Sequence, residues 1–259
     1  MENIVKSSLN LWRSFLGSII FYTITPIPNN WKPSFEGIAR WCPWVGFIIG
    51  GCLSLIFLGL NIIHTPPLVQ GAVTTAIWLG LTGGLHLDGA MDSADGLAVT
   101  NPEKRLEVMA DSVTGAFGAM TAVIILIFKF AAIASLTSEN WWLMLIAPIW
   151  GRWSQVLAIA FYPYLKPQGK GAFHKEHFTG NIDLIIATLP GLIITGILDY
   201  VATDNLLQVL IASGVSMAIA ISSSYWFDHK FNGHTGDTYG ATVEWTESIT
   251  LILSSIILQ

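Results

Sequence analysis

The chain has 259 residues, of which 53% are hydrophobic and only 11% are charged, and its formal net charge at pH 7 is −5. Soluble globular domains average about 25% charged residues, and the mean hydropathy of this chain is +0.59. The composition therefore excludes an ordinary soluble domain. It predicts an all-α protein, a polytopic integral membrane helical bundle in which residues 1–259 form a single domain. The lipid bilayer is its expected surrounding, a homo-oligomer is left open, and no nucleic-acid partner is expected.

Apolar runs along the chain predict about seven transmembrane helices, since a helix needs about 20 apolar residues to cross a bilayer. Residues 1–25 carry Lys6 and Arg13 ahead of a mixed run. They predict an N-terminal helix that is either interfacial or re-entrant, and the pattern does not decide whether 12–28 crosses the bilayer. The spans are expected at about 43–63, 67–86, 115–136, 141–163, 184–201, 206–226 and 241–259.

The connectors between these spans sort into two sets by charge. One set contains eight lysines and arginines, and the other contains none. Because connectors rich in lysine and arginine stay on the cytoplasmic side, the first set is predicted to face the cytoplasm from the plasma (inner) membrane. The charged connectors are 26–42, 87–114, 164–183 and 227–240, and the uncharged ones are 64–66, 137–140 and 202–205.

An acidic stretch, residues 83–118, holds six of the chain's 17 acidic residues. Asp88, Asp92 and Asp95 follow one another at i, i+4 and i+7, so a helix places the three carboxylates on one face. Like charges on one face repel one another unless a cation compensates them. The 67–86 span is expected to continue through the membrane boundary into this helix.

A second helix is predicted to follow, because Thr100 and Glu103 fit a capping box and Pro102 suits a first helical turn. Glu107 and Asp111 stand at i, i+4 on it. Two helices joined by a short turn are expected to pack antiparallel, with their carboxylates facing across a gap. All-oxygen clusters of this kind suit Mg²⁺, which usually shares its coordination with substrate phosphates. The alternative is a hairpin whose acids stand in water.

Two further groups of polar residues are candidates for ligand binding. The segment 233–240 contains Gly236 and Asp237 and is either a backbone site for a phosphate or an ordinary glycine-rich turn. Arg152 lies within a predicted span, where it either holds a phosphate or forms a buried ion pair that fixes helix packing. Glu244 and Glu247 enter the last span. Ionisable groups inside a span indicate function by default, but these two also lie close enough to the cytoplasmic end to be partly hydrated, and the sequence leaves their role open.

Five blocks of residues follow one another along nearly the whole chain: Thr25-Pro26-Ile27-Pro28 with Arg40 and Pro43-Trp44-Val45-Gly46; Gly83-Gly84-Leu85-His86-Leu87-Asp88-Gly89 with Asp92, Asp95 and Gly96; Arg105, Met109, Asp111, Ser112, Gly115 and Gly118; Gly151-Arg152; and Thr235-Gly236-Asp237 with Gly240-Ala241. In this order they resemble the motifs of the cobalamin synthase family, also called adenosylcobinamide-GDP ribazoletransferase or cobalamin-5′-phosphate synthase. The departures are small: His234 stands where a small residue is expected, and Tyr239 where leucine is commoner.

The resemblance implies a Mg²⁺-dependent phosphotransferase at the cytoplasmic face. A hydroxyl of α-ribazole, or of its 5′-phosphate, attacks the cobinamide-side phosphate of adenosylcobinamide-GDP, and GMP leaves, giving adenosylcobalamin or its 5′-phosphate. Asp92 or Asp95 is expected to take the hydroxyl proton. The expected metal ligands are Asp88, Asp92, Asp95, Glu107 and Asp111, and the expected substrate contacts are Arg40, Arg105, Arg152, Gly236 and Asp237.

Two other classes of protein share some of these features. A CDP-alcohol phosphotransferase is also helical, membrane-bound and metal-dependent, but its motif requires an arginine that is missing after Asp88-Gly89-Ala90-Met91, where Asp92-Ser93 follows. A transporter also uses intramembrane charges, ideally at mid-depth in broken or repeated helices. Here the acids cluster at one membrane face and no repeat is seen, so the pattern favours an enzyme.

Overall fold

The computed structural model describes residues 2–166, 171–201 and 206–257, with side chains for 9–166, 171–198 and 207–257. Within those ranges the structure is helical and has no β-strand, and its only β contact is a single bridge between Tyr164 and His234. The helices are α1 (Glu2–Tyr22), α2 (Cys42–Ile62), α3 (Pro67–Thr82), α4 (Leu85–Ala98), α5 (Arg105–Val108), α6 (Ala116–Ser135), α7 (Leu143–Phe161), α8 (Ala172–Glu176), α9 (Asn181–Val201), α10 (Leu206–Phe231) and α11 (Gly236–Ile257).

The predicted class, a polytopic helical membrane protein, is confirmed. Five helical segments of the described chain are long and apolar enough to cross a bilayer, and the bent pair α3–α4 makes a sixth if it counts as one span. Seven spans were expected; α11, the predicted last one, is a helix but is not among these candidates, and it carries Asp237, Glu244 and Glu247. The five segments are Ile38–Ile62, Ala116–Ser135, Ser138–Phe161, Asn181–Leu198 and Leu207–Phe231.

The chain breaks sharply between α3 and α4, where a continuous helix was expected. Gly83 and Gly84 both have positive φ, +60° and +70°, a conformation that glycine adopts without steric cost. The two helices consequently meet at an angle of 89°. The 14 residues of α4 extend about 21 Å at 1.5 Å per residue, which is too short to cross a bilayer core of about 30 Å. We therefore treat α4 as lying outside the membrane-spanning segments.

Helix α7 occupies the centre of the bundle. It packs against α2, α9, α10 and α11, and 94% of its apolar window is buried within the protein. The other spanning helices are only about a third buried over the same length. Their outward faces carry large apolar side chains such as Leu55, Val123 and Ile193. These faces suit contact with lipid, whereas α7 forms the core.

Four charged side chains form a network inside this core, which we call the buried ion network: Lys129, Arg152, Glu244 and Glu247. The Lys129 ammonium lies 2.7 Å from a carboxylate oxygen of each glutamate, and Arg152 pairs with the other oxygen of Glu247. The Lys129 nitrogen also lies 4.3 Å from the centre of the Trp78 ring, a favourable cation–π distance. Of the two alternatives for Arg152, the structure shows the buried ion pair that links helices.

The network predicts a large cost for removing its shared cation. Lys129→Met is expected to lower the free energy of unfolding by about 3–5 kcal/mol, because Glu244 stays buried without the cation that it pairs with and Glu247 keeps only its pair with Arg152. Unfolding of the purified protein in detergent measures this, with the exposed Lys104→Met as the matched control. A Lys129→Met protein as stable as the control would contradict the role given to the network.

Candidate active site

Helices α4 and α11 approach each other closely at two glycines. A Cβ atom on Gly89 would lie 2.6 Å from the backbone oxygen of Asp237, and one on Gly240 would lie 2.9 Å from that of His86. No larger residue fits at either position without a shift of backbone. The contact places the acidic face of α4 beside the first turn of α11.

A cavity of about 610 Å³ opens at this contact. Four carboxylates line it: Asp88 and Asp92 from α4, Asp111 from the turn after α5, and Asp237 from α11. We call these four residues the acidic wall. Lys166 lines the same cavity, and its ammonium lies 3.0 Å from Asp237. Three of the connectors predicted to share one membrane side, 87–114, 164–183 and 227–240, thus meet at one site.

The carboxylates of the acidic wall influence one another electrostatically. The pKa of Asp92 is raised to about 6, first because the side chain is partly buried and then because Asp88 and Asp237 carry like charge nearby. Lys166 acts in the opposite direction. A carboxylate with this pKa exchanges a proton near neutral pH, as a general base requires.

The acidic wall suits Mg²⁺ by the chemistry of its donors but does not form a closed cage. Among the residues that the structure describes, no three His, Cys, Asp or Glu side chains are gathered closely enough to hold a metal ion. Mg²⁺ is typically held by one or two carboxylates, with water and substrate phosphates completing its octahedral shell. A cavity lined by separate carboxylates fits that mode of binding.

Asp95, a predicted metal ligand and base, is directed elsewhere. Its two carboxylate oxygens accept hydrogen bonds from the backbone N–H groups of Gly115 and Gly118, at 2.7 and 2.8 Å. These amides belong to the N-terminal turn of α6, and Gly115 is its capping residue. Asp95 does not line the cavity. Its geometry is that of a helix cap that also favours the positive end of the helix dipole.

The predicted second helix of the acidic hairpin is reduced to α5, a single turn of four residues. Its lead-in turn is capped by Asn101, whose side chain accepts a hydrogen bond from the Glu103 N–H, and not by Thr100. The chain therefore leaves the helix before Asp111, which reaches the cavity from a turn. Glu107 is exposed and lies outside the cavity, so the structure does not bring it to the other acids.

The three arginines expected to contact substrate do not line the cavity. Arg40 forms a 3.0 Å ion pair with the buried Asp183. Arg105 donates a 2.7 Å hydrogen bond to the backbone oxygen of Lys230, and Arg152 belongs to the buried ion network. Of the described residues, Lys166 is the cation that lines the cavity. It stands in a connector with several basic residues, and the sequence gave no reason to single it out.

The predicted substrate contacts Gly236 and Asp237 do line the cavity. Gly236 is the first residue of α11, where the positive end of a helix dipole favours an anion. The Thr235 hydroxyl accepts hydrogen bonds from the N–H groups of Asp237 and Thr238, at 3.2 and 3.3 Å. The segment is thus a built helix start rather than a loose glycine-rich turn.

A group of buried residues on the same cavity was not predicted: Tyr22, His86, Gln155, His174 and Tyr239. We call these five residues the buried wall. They come from α1, α4, α7, α8 and α11, so no local spacing links them. The sequence feature that could have indicated them is a single polar residue within an apolar segment, such as Gln155 in α7.

Comparison with known proteins now identifies the family. The family model for cobalamin-5-phosphate synthase matches residues 14–255. The chain belongs to the cobalamin-5-phosphate synthase family. Among its relatives named adenosylcobinamide-GDP ribazoletransferase, the protein of Trichormus variabilis is 47% identical over 94% of this chain and 97% of its own. Those of a Synechococcus species (45%; 95% and 97%) and a Synechocystis species (44%; 93% and 93%) are similar. No solved structure matches the chain.

The close contact between α4 and α11 can be tested by measuring stability. Gly240→Ala is expected to lower the free energy of unfolding by about 1–3 kcal/mol, because the added methyl group overpacks the contact with α4. Gly51→Ala is the matched control, since a Cβ at Gly51 of α2 meets no atom within 4 Å. Unfolding in detergent measures both. Equal stability of the two variants would contradict the close approach.

Asp95 gives a second test of the structure. Asp95→Ala is expected to lower the free energy of unfolding by about 1–3 kcal/mol, because two partly buried amides of the α6 start lose their acceptor. Asp111→Ala is the comparison, since that side chain is exposed and, among the described residues, accepts one hydrogen bond, from the N–H of Val113. If Asp95→Ala proves no more destabilising than Asp111→Ala, the capping role is wrong.

Proposed function

We propose that this protein transfers the adenosylcobinamide-phosphate group from adenosylcobinamide-GDP to α-ribazole, or to its 5′-phosphate, and releases GMP. Support comes from the family match over residues 14–255 and from relatives at 44–47% identity that carry the name of this transferase. The observation that carries the proposal is that the family's acidic motif lines a cavity together with α11 and Lys166. This reaction ends cobalamin biosynthesis.

The acidic wall would hold Mg²⁺, with Asp88 and Asp237 as its principal ligands. When bound, the ion would neutralise phosphate charge, as phosphoryl transfer requires. Among the described residues, four carboxylates face one lysine across the cavity, an arrangement that repels a phosphate, so a divalent cation is the simplest way to make this cavity accept a pyrophosphate. The start of α11 at Gly236 adds a helix dipole of the favourable sign.

Asp92 is our candidate for the general base. It lines the cavity beside Asp88 and Asp237, and its pKa of about 6 keeps it largely ionised at neutral pH. In the proposed step the acceptor hydroxyl gives its proton to Asp92, its oxygen forms the new bond to the cobinamide-side phosphorus, and the bond to GMP breaks. Lys166 would contact a phosphate oxygen. The three arginines predicted for that role do not line the cavity.

The same proposal includes the membrane and its sides. The protein would lie in the plasma (inner) membrane with the cavity facing the cytoplasm. Segments from three of the four lysine- and arginine-rich connectors contribute residues to the cavity wall, and such connectors stay in the cytoplasm. Water-soluble nucleotides would then reach the acidic wall without crossing the bilayer.

Release of GMP by the purified protein tests the function. Detergent-solubilised protein is mixed with adenosylcobinamide-GDP, α-ribazole and Mg²⁺, and GMP is quantified by chromatography. Asp92→Asn is expected to lower kcat by about 100-fold or more, the usual contribution of a general base. The exposed Glu103→Gln is the matched control and should turn over like wild type.

Three results would each count against a part of the proposal. Absence of GMP release by wild type with both substrates and Mg²⁺ present would reject the reaction. Full activity after removal of divalent cations with a chelator would reject the metal while leaving the reaction in place. Wild-type kcat in Asp92→Asn would assign the proton transfer to another group.

A further inference from the structure

The buried wall differs from the acidic wall in every property that governs ligand binding. Its members are at most 3% exposed, whereas the four aspartates are partly or fully exposed. Burial lowers the pKa of His174 to about 3, so this imidazole is neutral at physiological pH. The cavity therefore passes from a charged, hydrated side to an uncharged, aromatic side.

The aromatic rings of the buried wall are aligned. The Tyr22 ring stacks on His86 and on His174, with centroids 5.9 Å apart in both pairs and interplanar angles of 27° and 14°. Phe21 meets His174 edge-on at 5.0 Å. Rings packed in this way form an aromatic border to the cavity, and such a border favours contact with another flat ring.

Several polar atoms of the buried wall have no partner. Neither ring nitrogen of His86, nor Nδ1 of His174, nor the hydroxyl of Tyr239 makes a hydrogen bond with any part of the chain that the structure describes. Buried polar groups are nearly always paired, and an unpaired one costs about 1–3 kcal/mol. By contrast, Gln155 is engaged on both sides, accepting from the Cys42 thiol and donating to Tyr22. Unpaired groups clustered beside a cavity point to a ligand that completes them.

We infer that the buried wall is a subsite for a flat, uncharged nitrogen heterocycle that stacks beside Tyr22 and exchanges hydrogen bonds with His86, His174 and Tyr239. A charged group would lose its hydration there without an opposite charge in the wall. A nucleoside fits the cavity as a whole, with its base against the buried wall and its ribose and phosphate toward the acidic wall. This assignment rests on the proposed function for the choice of nucleoside.

Both proposed substrates contain such a ring, the base of α-ribazole and the guanine of adenosylcobinamide-GDP. The volume of about 610 Å³ lies in the range that encloses one small-molecule ligand. The cavity thus accommodates one base in the buried wall. The corrinoid portion has to extend outside it. Measuring the two nucleosides separately decides which base occupies the subsite.

His174→Phe is the decisive variant, because it keeps a ring for stacking and removes both nitrogens. The dissociation constant of α-ribazole, or that of GMP, is expected to rise about ten-fold or more, the effect of one unpaired buried hydrogen-bond group. Calorimetric titration of the purified protein measures each ligand without turnover. His229→Phe is the matched control, since His229 is exposed on α10, where it stacks on Tyr225, and does not line the cavity.

A selective rise for α-ribazole assigns the subsite to the acceptor, and a selective rise for GMP assigns it to the donor nucleotide. Dissociation constants within two-fold of wild type for both ligands would overturn the inference. Should His174→Phe not fold, wild type supplies the second measurement, in which benzimidazole is expected to bind at least about ten-fold more tightly than indene, a ring of the same shape without nitrogen. Equal affinity would overturn the inference. Because these are binding measurements, they are independent of whether GMP is released in the activity assay.

Discussion

The buried ion network is the constraint on which the rest of the structure depends. Lys129 of α6 and Arg152 of α7 both pair with glutamates of α11, and the charges have no solvent to compensate them. Sliding or rotating α11 by one residue would break these pairs at a cost of several kcal/mol. The network therefore fixes the register of α11, and with it the position at which Asp237 enters the cavity.

Glycines make this register compatible with close packing. Gly151 beside Arg152 leaves the space that the Glu247 side chain occupies. The middle of α11 is thus held in the core, and its first turns are held against α4 by Gly89 and Gly240. Because both contacts lie on the same helix, a shift at one is transmitted to the other. This couples membrane-embedded packing to the geometry of the acidic wall.

Sequence patterns predicted the helices well, because long apolar runs bounded by polar connectors determine where spans begin and end. They predicted the acidic face of α4 equally well, since Asp88 and Asp92 follow helical spacing. They also predicted Asp95 as a metal ligand and base, whereas the structure directs its carboxylate to the start of α6, because periodicity places a side chain on a face but does not show what that face meets. The backbone N–H groups at the start of α6 bind a carboxylate as well as a metal ion does, and no local sequence pattern shows that they lie beside Asp95.

The second helix of the acidic hairpin, α5, is shorter than predicted. The sequence indicated a helix start capped by Thr100, but Asn101 is the capping residue, and the helix ends at Val108. Tertiary contacts decided this: Arg105 bonds to the backbone of Lys230 and Met109 packs against Gly96. Such contacts join residues more than 10 or 100 positions apart. The buried wall was missed for the same reason, since its five members lie on five different helices.

Charge balance separates the two polar regions of the bundle by function. The buried ion network contains two cations and two carboxylates in direct contact, so its charges balance and it does not attract a further ion. A transport pathway would require such groups to be free to exchange partners with a solute. The acidic wall instead sets four carboxylates against one lysine of the described residues, Lys166, at an accessible cavity bordered by a helix start. Its unmatched negative charge attracts a cation, and a cation held there would attract phosphate. The charges of the buried ion network balance one another, whereas those of the acidic wall do not. This difference favours an enzyme that binds a cation and a phosphate at the acidic wall over a transporter.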